Sequence, residues 1–320
     1  NADIEVLSAS PSKTSGLYSV AASNRWNPFS IIKSILKCDI MISAGGLYQD
    51  RTGLISLYYY LLLIVLAKVF TRKVLLFGVD FTPITHSFNK FVIKIIIPTA
   101  DSIGVRSQGS IDFLHQIGIE KNITLTADSV MLLEQSTGVV KSNERIKKIG
   151  VILKKSRDLS KYVELCNALA GRFDAEIIFI PFHLEEDYLF SRSIASVMSF
   201  NSRIARWHKT TDLFNIISDV DFIVSQRLHG LIIGVMSGIP LLGISNDSKL
   251  EFFSKEMGLK HIPLKDMDTN VVVGIVNDIW EWRNEFKKLI EKNLPKFKYR
   301  AYLNLKKLVD ISGEILSEIQ

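Results

Sequence analysis

The chain has only two cysteines in 320 residues, Cys38 and Cys166. Neither sits in a paired-Cys or Cys/His spacing, so a disulfide scaffold and a zinc ribbon are excluded and a reducing compartment fits. Both read as small buried apolar residues. There is no Walker loop, no GxGxxG fingerprint and no HExxH, which weakens kinase, dinucleotide and zinc-hydrolase readings. No signal peptide and no low-complexity tract are visible, and no internal repeat. The chain opens on Asn1 rather than Met, so its true beginning is expected upstream. Long apolar runs are scarce too. Thr52 to Phe70 is one, but it carries Ser56, Lys68 and the successive tyrosines Tyr58 to Tyr60. A membrane span needs about 20 predominantly apolar residues, so a buried helix is the expected state.

What is present is an ordinary globular composition, 47% hydrophobic and 22% charged. Its length suggests two domains at roughly 150 residues each. The net charge of +6 favours anionic partners. No nucleic-acid motif accompanies it, and nucleic acid is not an expected partner. The basic residues cluster only near the C-terminus, at Lys287, Lys288, Lys292, Lys296, Lys298, Arg300, Lys306 and Lys307. That cluster reads as a solvated helix face or as a peripheral docking surface for an acidic membrane.

Strand-like and helix-like segments alternate along the chain. Ile4–Ser8, Asp39–Ser43, Lys73–Gly78, Ser102–Arg106 and Ile123–Thr126 read as strands in the first half. Asn27 caps a helix that starts at Pro28. The polar stretch Glu134 to Lys148 reads as a linker. Alternation restarts with strands at Lys148–Leu153, Glu176–Pro181, Asp221–Val224 and Pro240–Ile244. A helix over Thr211–Ser218 is expected to be capped by Thr210 or Thr211, and one over Arg283–Ile319 to break near Pro295. The pattern implies an α/β protein with two doubly wound, parallel-sheet domains, 1–140 and 141–320, whose shared cleft is the default site.

The candidate chemistry falls at strand ends. Ser225-Gln226-Arg227-Leu228-His229-Gly230 follows an apolar strand and opens a helix. A permanent cation and a proton-transfer group there suit an anionic substrate and acid/base work. Alternatively, Arg227 caps a carboxylate and His229 satisfies a core hydrogen bond. Gly45 and Gly46 allow close backbone approach to a ligand, or simply make a tight turn. Gln49 and Asp50 suit sugar hydroxyls, though Asp50 equally suits a helix cap. Arg106 can clamp a carboxylate or phosphate, or pair with a helix-cap residue. Asp128 reads as an arginine partner, a cleft marker or a turn residue. His183 is a candidate for substrate contact, and Lys249 for phosphate contact or plain solvation. No metal-ligand cluster is evident.

At these residues the chain resembles the polysaccharide pyruvyl transferase family, from about Glu5 to Leu259. The resemblance rests on Ser8 and Pro11; on Gly45, Gly46, Gln49 and Asp50; and on Val105, Arg106, Ser110, Leu114 and Gly118. It rests further on Thr126, Ala127 and Asp128, on Arg227 to Leu231 with Gly238 to Pro240, and on Lys249. It implies a GT-B-like fold of two Rossmann-like domains facing a central cleft, an acceptor side in 1–140 and a donor side in 141–320. The implied reaction moves a pyruvyl group from phosphoenolpyruvate to a glycan or lipid-linked saccharide of a cell-wall or exopolysaccharide precursor, as a ketal. Arg106 and Arg227 would bind the donor's phosphate and carboxylate, and His229 would be the acid/base residue. No cofactor is implied, and the expected location is cytoplasmic, at the inner face of the membrane. The chain departs from the family pattern at Ala44, at Ser107 and at Val79-Asp80-Phe81, where Gly-Pro is usual, and it starts after the family's usual first strand and glycine-rich loop. A GT-B glycosyltransferase with a nucleotide-sugar donor is the alternative reading. A further one is a sugar-binding or scaffolding protein without the reaction.

Overall fold

The computed structural model describes residues 2–50, 53–81, 84–120, 122–133 and 144–319. Its elements, in order, are β1 Glu5–Ser8, α1 Pro11–Tyr18, β2 Ala21–Asn24, α2 Pro28–Lys37, β3 Ile40–Ala44, α3 Leu54–Val69, β4 Lys73–Val79, α4 Ser87–Ile96, β5 Ser102–Val105, α5 Gln108–Gln116 and β6 Ile123–Leu125. They continue as β7 Lys148–Ile152, α6 Leu159–Phe173, β8 Glu176–Phe179, α7 Glu186–Ala195, β9 Ser202–Ile204, α8 Asp212–Ser218, β10 Phe222–Ser225, α9 Leu228–Met236, β11 Leu241–Ile244, α10 Ser248–Met257, β12 His261–Ile262, α11 Thr269–Glu281 and α12 Arg283–Ile319.

The chain packs as two compact units. Asn1–Ser129 with Arg300–Gln320 make the first, and Val130–Tyr299 the second. The expected division at 140/141 gave the whole C-terminal helix to the second domain. The structure instead packs its last part with the first unit, where Ala301, Asn304 and Ile311 are buried. Helix α12 is also not broken at Pro295. Pro295 lies on the exposed face, while buried Ile290 and Phe297 hold the helix on either side. Residues 134–143 of the expected linker lie outside the described residues.

In the first unit, β3-β4-β5-β6 form a parallel sheet and β1-β2 a separate parallel pair. The strands Val74–Val79 and Ile103–Val105 are buried and meet α3, α4 and α5 through Leu57, Leu61, Ile64, Ile93 and Leu114. Asn27 caps α2 as read, accepting from the Phe29 and Ser30 amides at 3.0 and 3.2 Å.

In the second unit all six strands are parallel, in the order β12-β11-β10-β7-β8-β9. Strands β7, β8, β10 and β11 read as continuous apolar runs because helices cover both faces of the sheet. Val151, Ile177, Phe179, Phe222 and Leu242 pack with Leu165, Leu169, Val272 and Val276 of α6 and α11. Of the two threonines expected to cap α8, Thr211 occupies the cap position. Thr211 makes no side-chain cap bond, and the Asp212 carboxylate instead accepts from the His208 and Lys209 amides. Among the described residues no helix is long and apolar enough to cross a membrane. Cys166 is buried, and its thiol is pushed up to about 12 by that burial; Cys38 is only half-buried.

Candidate functional site

The second unit's strand order reverses between β7 and β10. From β7 the chain adds β8 and β9 on one side, then returns to lay β10, β11 and β12 on the other. In parallel α/β sheets, ligands bind beyond the carboxyl ends of the strands at such a reversal. Arg227 follows β10 at this point, and Lys154 follows β7.

The loop after β10 is tightly built. Ser225 Oγ accepts the Arg227 amide at 3.1 Å and donates to the Arg227 carbonyl at 2.8 Å. Gln226 is buried; its Oε1 accepts the Lys154 amide at 2.8 Å and its Nε2 donates to the Tyr162 hydroxyl at 2.9 Å. These bonds tie the β10 loop to the β7 loop. Gly230 then lets α9 lie against both strands, because a Cβ there would run into Ser225 Oγ and lie 2.6 Å from Ile152 Cδ1. Arg227 is thereby fixed at the N-cap of α9, and His229 stands exposed in its first turn.

The Arg227 guanidinium forms a two-pronged pair with Asp187, Nε to Oδ2 at 2.9 Å and Nη2 to Oδ1 at 2.5 Å. Asp187 is buried in the first turn of α7 and also accepts the His183 amide at 2.9 Å. Arg227 itself remains 27% exposed. Arg227 thus holds a carboxylate, as its capping reading expects, while its side chain stays partly exposed. His183 is exposed in the loop after β8. On the β11 side, Asp247 caps α10 by accepting the Lys249 amide at 3.1 Å, and Lys154 Nζ reaches Asp247 at 3.3 Å. Burial alone would raise the Asp247 pKa; Lys154 and the Lys249 amide outweigh it and lower the pKa. Arg227, His229, His183, Lys249 and Lys154 thus come from four adjoining strand ends of one sheet.

The first unit treats its arginine differently. Arg106 follows β5, and its side chain is only 9% exposed. Its Nε donates to Asp80 Oδ2 at 3.4 Å, and its Nη1 donates to Asp128. Asp80 also accepts from Ser107 Oγ at 3.1 Å and Ser110 Oγ at 2.5 Å, at the N-terminus of α5. Burial alone would lower the Arg106 pKa, but Asp128 and Asp80 outweigh it and raise it. The clamp expected for a donor anion is therefore occupied by two internal carboxylates that tie together the ends of β4, β5 and β6. Asp128 is the arginine partner that one of its readings named.

Asp50 is buried and structural. Its carboxylate accepts from the Thr85 amide at 2.8 Å, the His86 amide at 3.0 Å and Asn89 Nδ2 at 3.0 Å, at the start of α4. Its pKa is lowered because these bonds outweigh desolvation. It anchors the segment leading into α4 rather than capping a helix, and its carboxylate oxygens are engaged by these donors. Gly45 adopts φ +93°, which a side chain rarely tolerates, and Gly46 and Gln49 are half-buried in the same loop. Beneath them Tyr48 is fully buried; its hydroxyl pairs with Ser43 at 2.8 Å and its ring stacks on Phe81 at 5.1 Å.

The sequence assigns no role to Lys154 or Asp187, and none to Gln226 or Asp80 within the segments that hold them. Lys154 was the most accessible of these, since Lys154-Lys155-Ser156-Arg157 directly follows a recognised strand. The cavity lined by Asp101, Glu120, Lys307 and Glu314 lies at the opposite, amino edge of the first sheet. Among the described residues no His, Cys, Asp and Glu group is arranged to hold a metal ion.

Solved structures share this fold at low identity. The UDP-GlcNAc 2-epimerase of Neisseria meningitidis, solved with UDP-GlcNAc, is 13% identical with a TM-score of 0.62, covering 93% of this chain and 88% of its own. A Rickettsia africae glycosyltransferase is 13% identical with a TM-score of 0.62, covering 96% and 89%. Anabaena HepE, solved with UDP and glucose, is 10% identical with a TM-score of 0.61, covering 97% and 91%. They place the chain in the GT-B-like α/β class. No curated protein matches the sequence significantly. The sequence model of one family matches residues 1–248, which spans Arg106, Asp128, His183, Arg227 and His229, and on that match the chain belongs to the polysaccharide pyruvyl transferase family.

Proposed function

We propose that this enzyme transfers the pyruvyl group of phosphoenolpyruvate to two hydroxyls of a sugar in a polysaccharide precursor, forming a cyclic ketal and releasing phosphate. The observation that carries this reading is the half-open Arg227 with His229 beside it, at the sheet reversal of the second unit. The donor has a carboxylate and a phosphate, so it requires more than one cation. Arg227 is partly neutralised by Asp187, and on the flanking strand ends Lys154 and Lys249 share one carboxylate, Asp247, which leaves the group a net positive charge.

The reaction balances without redox chemistry. A proton reaches the methylene carbon, one sugar oxygen bonds to the central carbon, and the second hydroxyl adds there as the phosphate–oxygen bond to that carbon breaks. One hydroxyl proton replaces the proton delivered to carbon and the other leaves on phosphate. His229 is the proton-transfer group in this scheme, a role worth about 10²–10⁴-fold. Arg227 and the lysines offset charge building on the leaving phosphate. No cofactor is needed beyond the donor itself. Arg106 acts as an internal strut, and the first unit's Gly45-Gly46-Gln49 loop contacts the acceptor, a lipid-linked saccharide at the inner face of the membrane.

The test is phosphate release coupled to a mass gain on the acceptor. His229→Ala is expected to lose turnover by about 10²–10⁴-fold with its unfolding free energy unchanged. Normal turnover by that variant excludes the role. Thermal stabilisation by a nucleotide-sugar and not by phosphoenolpyruvate would favour the glycosyltransferase reading instead.

A further inference from the structure

Helices α2, α3 and α4 lie side by side on one face of the first unit's sheet, α3 touching both neighbours. Each turns a normal apolar stripe inward: Ile31 and Ile35, then Leu57, Leu61 and Ile64, then Ile93. Each also turns a second apolar stripe outward. On α2 it is Phe29, Ile32 and Leu36; on α3, Ile55, Leu62 and Val69; on α4, Phe88, Phe91 and Ile95. The outward residues recur at three, four and seven positions, the spacing of one helix face. Four of them are exposed by about two thirds or more, Phe29 83%, Ile55 80%, Val69 67% and Phe88 66%. Phe29, Ile55 and Phe88 occupy the second position of their helices, and Val69 ends α3. Helices α3 and α4 follow the parallel strands β3 and β4, so Ile55 and Phe88 lie at the carboxyl edge of that sheet, where the Gly45-Gly46 loop lies; α2 follows β2 of the separate pair and leads into β3.

The charge on these helices has one sign. They carry Lys33, Lys37, Lys68, Lys90 and Lys94 and no Asp or Glu. Lys68 is paired with Asp101 at 2.8 Å. Glu5 is the carboxylate that touches α2, through Ser34 Oγ at 2.8 Å. At the same edge, the Arg25 guanidinium lies 4.8 Å from the exposed Trp26 ring, which meets Tyr59 at 5.6 Å. Amphipathic aromatics and basic residues around an apolar face match the boundary of a bilayer.

We propose that this three-helix face is a peripheral membrane-docking surface, and that its partner is the headgroup region of an anionic phospholipid bilayer. Its area, three helices about 10 Å apart, is roughly several hundred Å², at or above the largest patch of a typical soluble monomer. A second copy of the chain fits less well, since a two-fold contact would set these lysines against each other. The surface lies on it without spanning it, and docking brings the Gly45-Gly46 edge of the first unit toward lipid-borne molecules.

The experiment is flotation of the full chain with phosphatidylcholine vesicles, with and without phosphatidylglycerol. The wild type is expected to float with the anionic vesicles. The triple variant Phe29→Ser, Ile55→Ser, Phe88→Ser is expected to keep its cooperative melt and lose partitioning by more than about tenfold. Lys33→Glu with Lys37→Glu and Lys94→Glu is expected to lose the preference for the anionic lipid. Three results overturn the proposal: no flotation of the wild type, undiminished flotation of the triple variant, or a triple variant that turns a dimer into a monomer without affecting flotation. Flotation requires no turnover, so its outcome is separate from that of the pyruvyl-transfer assay.

Discussion

Arg106 and Arg227 look alike in the sequence. Each follows an apolar strand, precedes a helix and begins a short polar loop. In the folded chain their surroundings differ. Arg106 is almost wholly buried between Asp80 and Asp128, so the local sum is one cation and two carboxylates. Arg227 faces one carboxylate, keeps an open edge, and stands where its sheet reverses. A strand-end arginine can thus serve as a ligand group only where its neighbours leave part of it exposed, and the donor role proposed for Arg227 rests on that difference.

The comparison breaks most readily at Arg106. Arg106→Ala leaves two buried carboxylates without their cation and is expected to cost about 3–5 kcal/mol of stability, read by denaturant unfolding. Arg227→Ala is expected to cost less, because it leaves one buried carboxylate rather than two and Asp187 keeps the His183 amide, while abolishing donor-dependent turnover. The reverse ranking of stabilities would dissolve the distinction between strut and ligand group. Gly230→Ala comes next. Its Cβ collides with Ser225 and Ile152, so about 1–3 kcal/mol is expected, together with a raised KM for the donor as Arg227 shifts.

The smallest effect concerns acid. Asp50 has a lowered pKa in the folded chain, so its contribution is complete above the unfolded value of about 3.9 and is lost as pH falls through the folded value. Asp50→Asn is therefore expected to flatten part of the stability loss below about pH 4. An unchanged acid limb would show that the helix-start bonds contribute nothing.

Much of this was readable before folding. The alternation of strands and helices, the Asn27 cap and the Arg227–His229 strand end all rest on local chemistry, and local chemistry is what a sequence displays. Helix α1 and strand β2 were not readable. Pro11–Tyr18 has no buried residue and no apolar stripe, so periodicity had nothing to report. The pairing of Arg106 with Asp80 and Asp128, and of Asp50 with Thr85, His86 and Asn89, depends on contacts some 22–39 residues apart. Asp80 was visible only as an odd residue where Gly-Pro is usual. Pro295 misled because the rule that proline ends helices yields when buried neighbours on both sides hold the next turn. Lys154 was overlooked although its strand was recognised, because only a sheet order with β7 beside β10 makes it a neighbour of Arg227.

Hydrogen exchange of the full chain with and without phosphoenolpyruvate addresses the donor's location directly. Slowed exchange is expected at residues 152–157, 225–231 and 244–250, around the ends of β7, β10 and β11. Slowing confined to residues 79–81, 105–110 and 126–129, around Arg106, would contradict a donor held by the second unit.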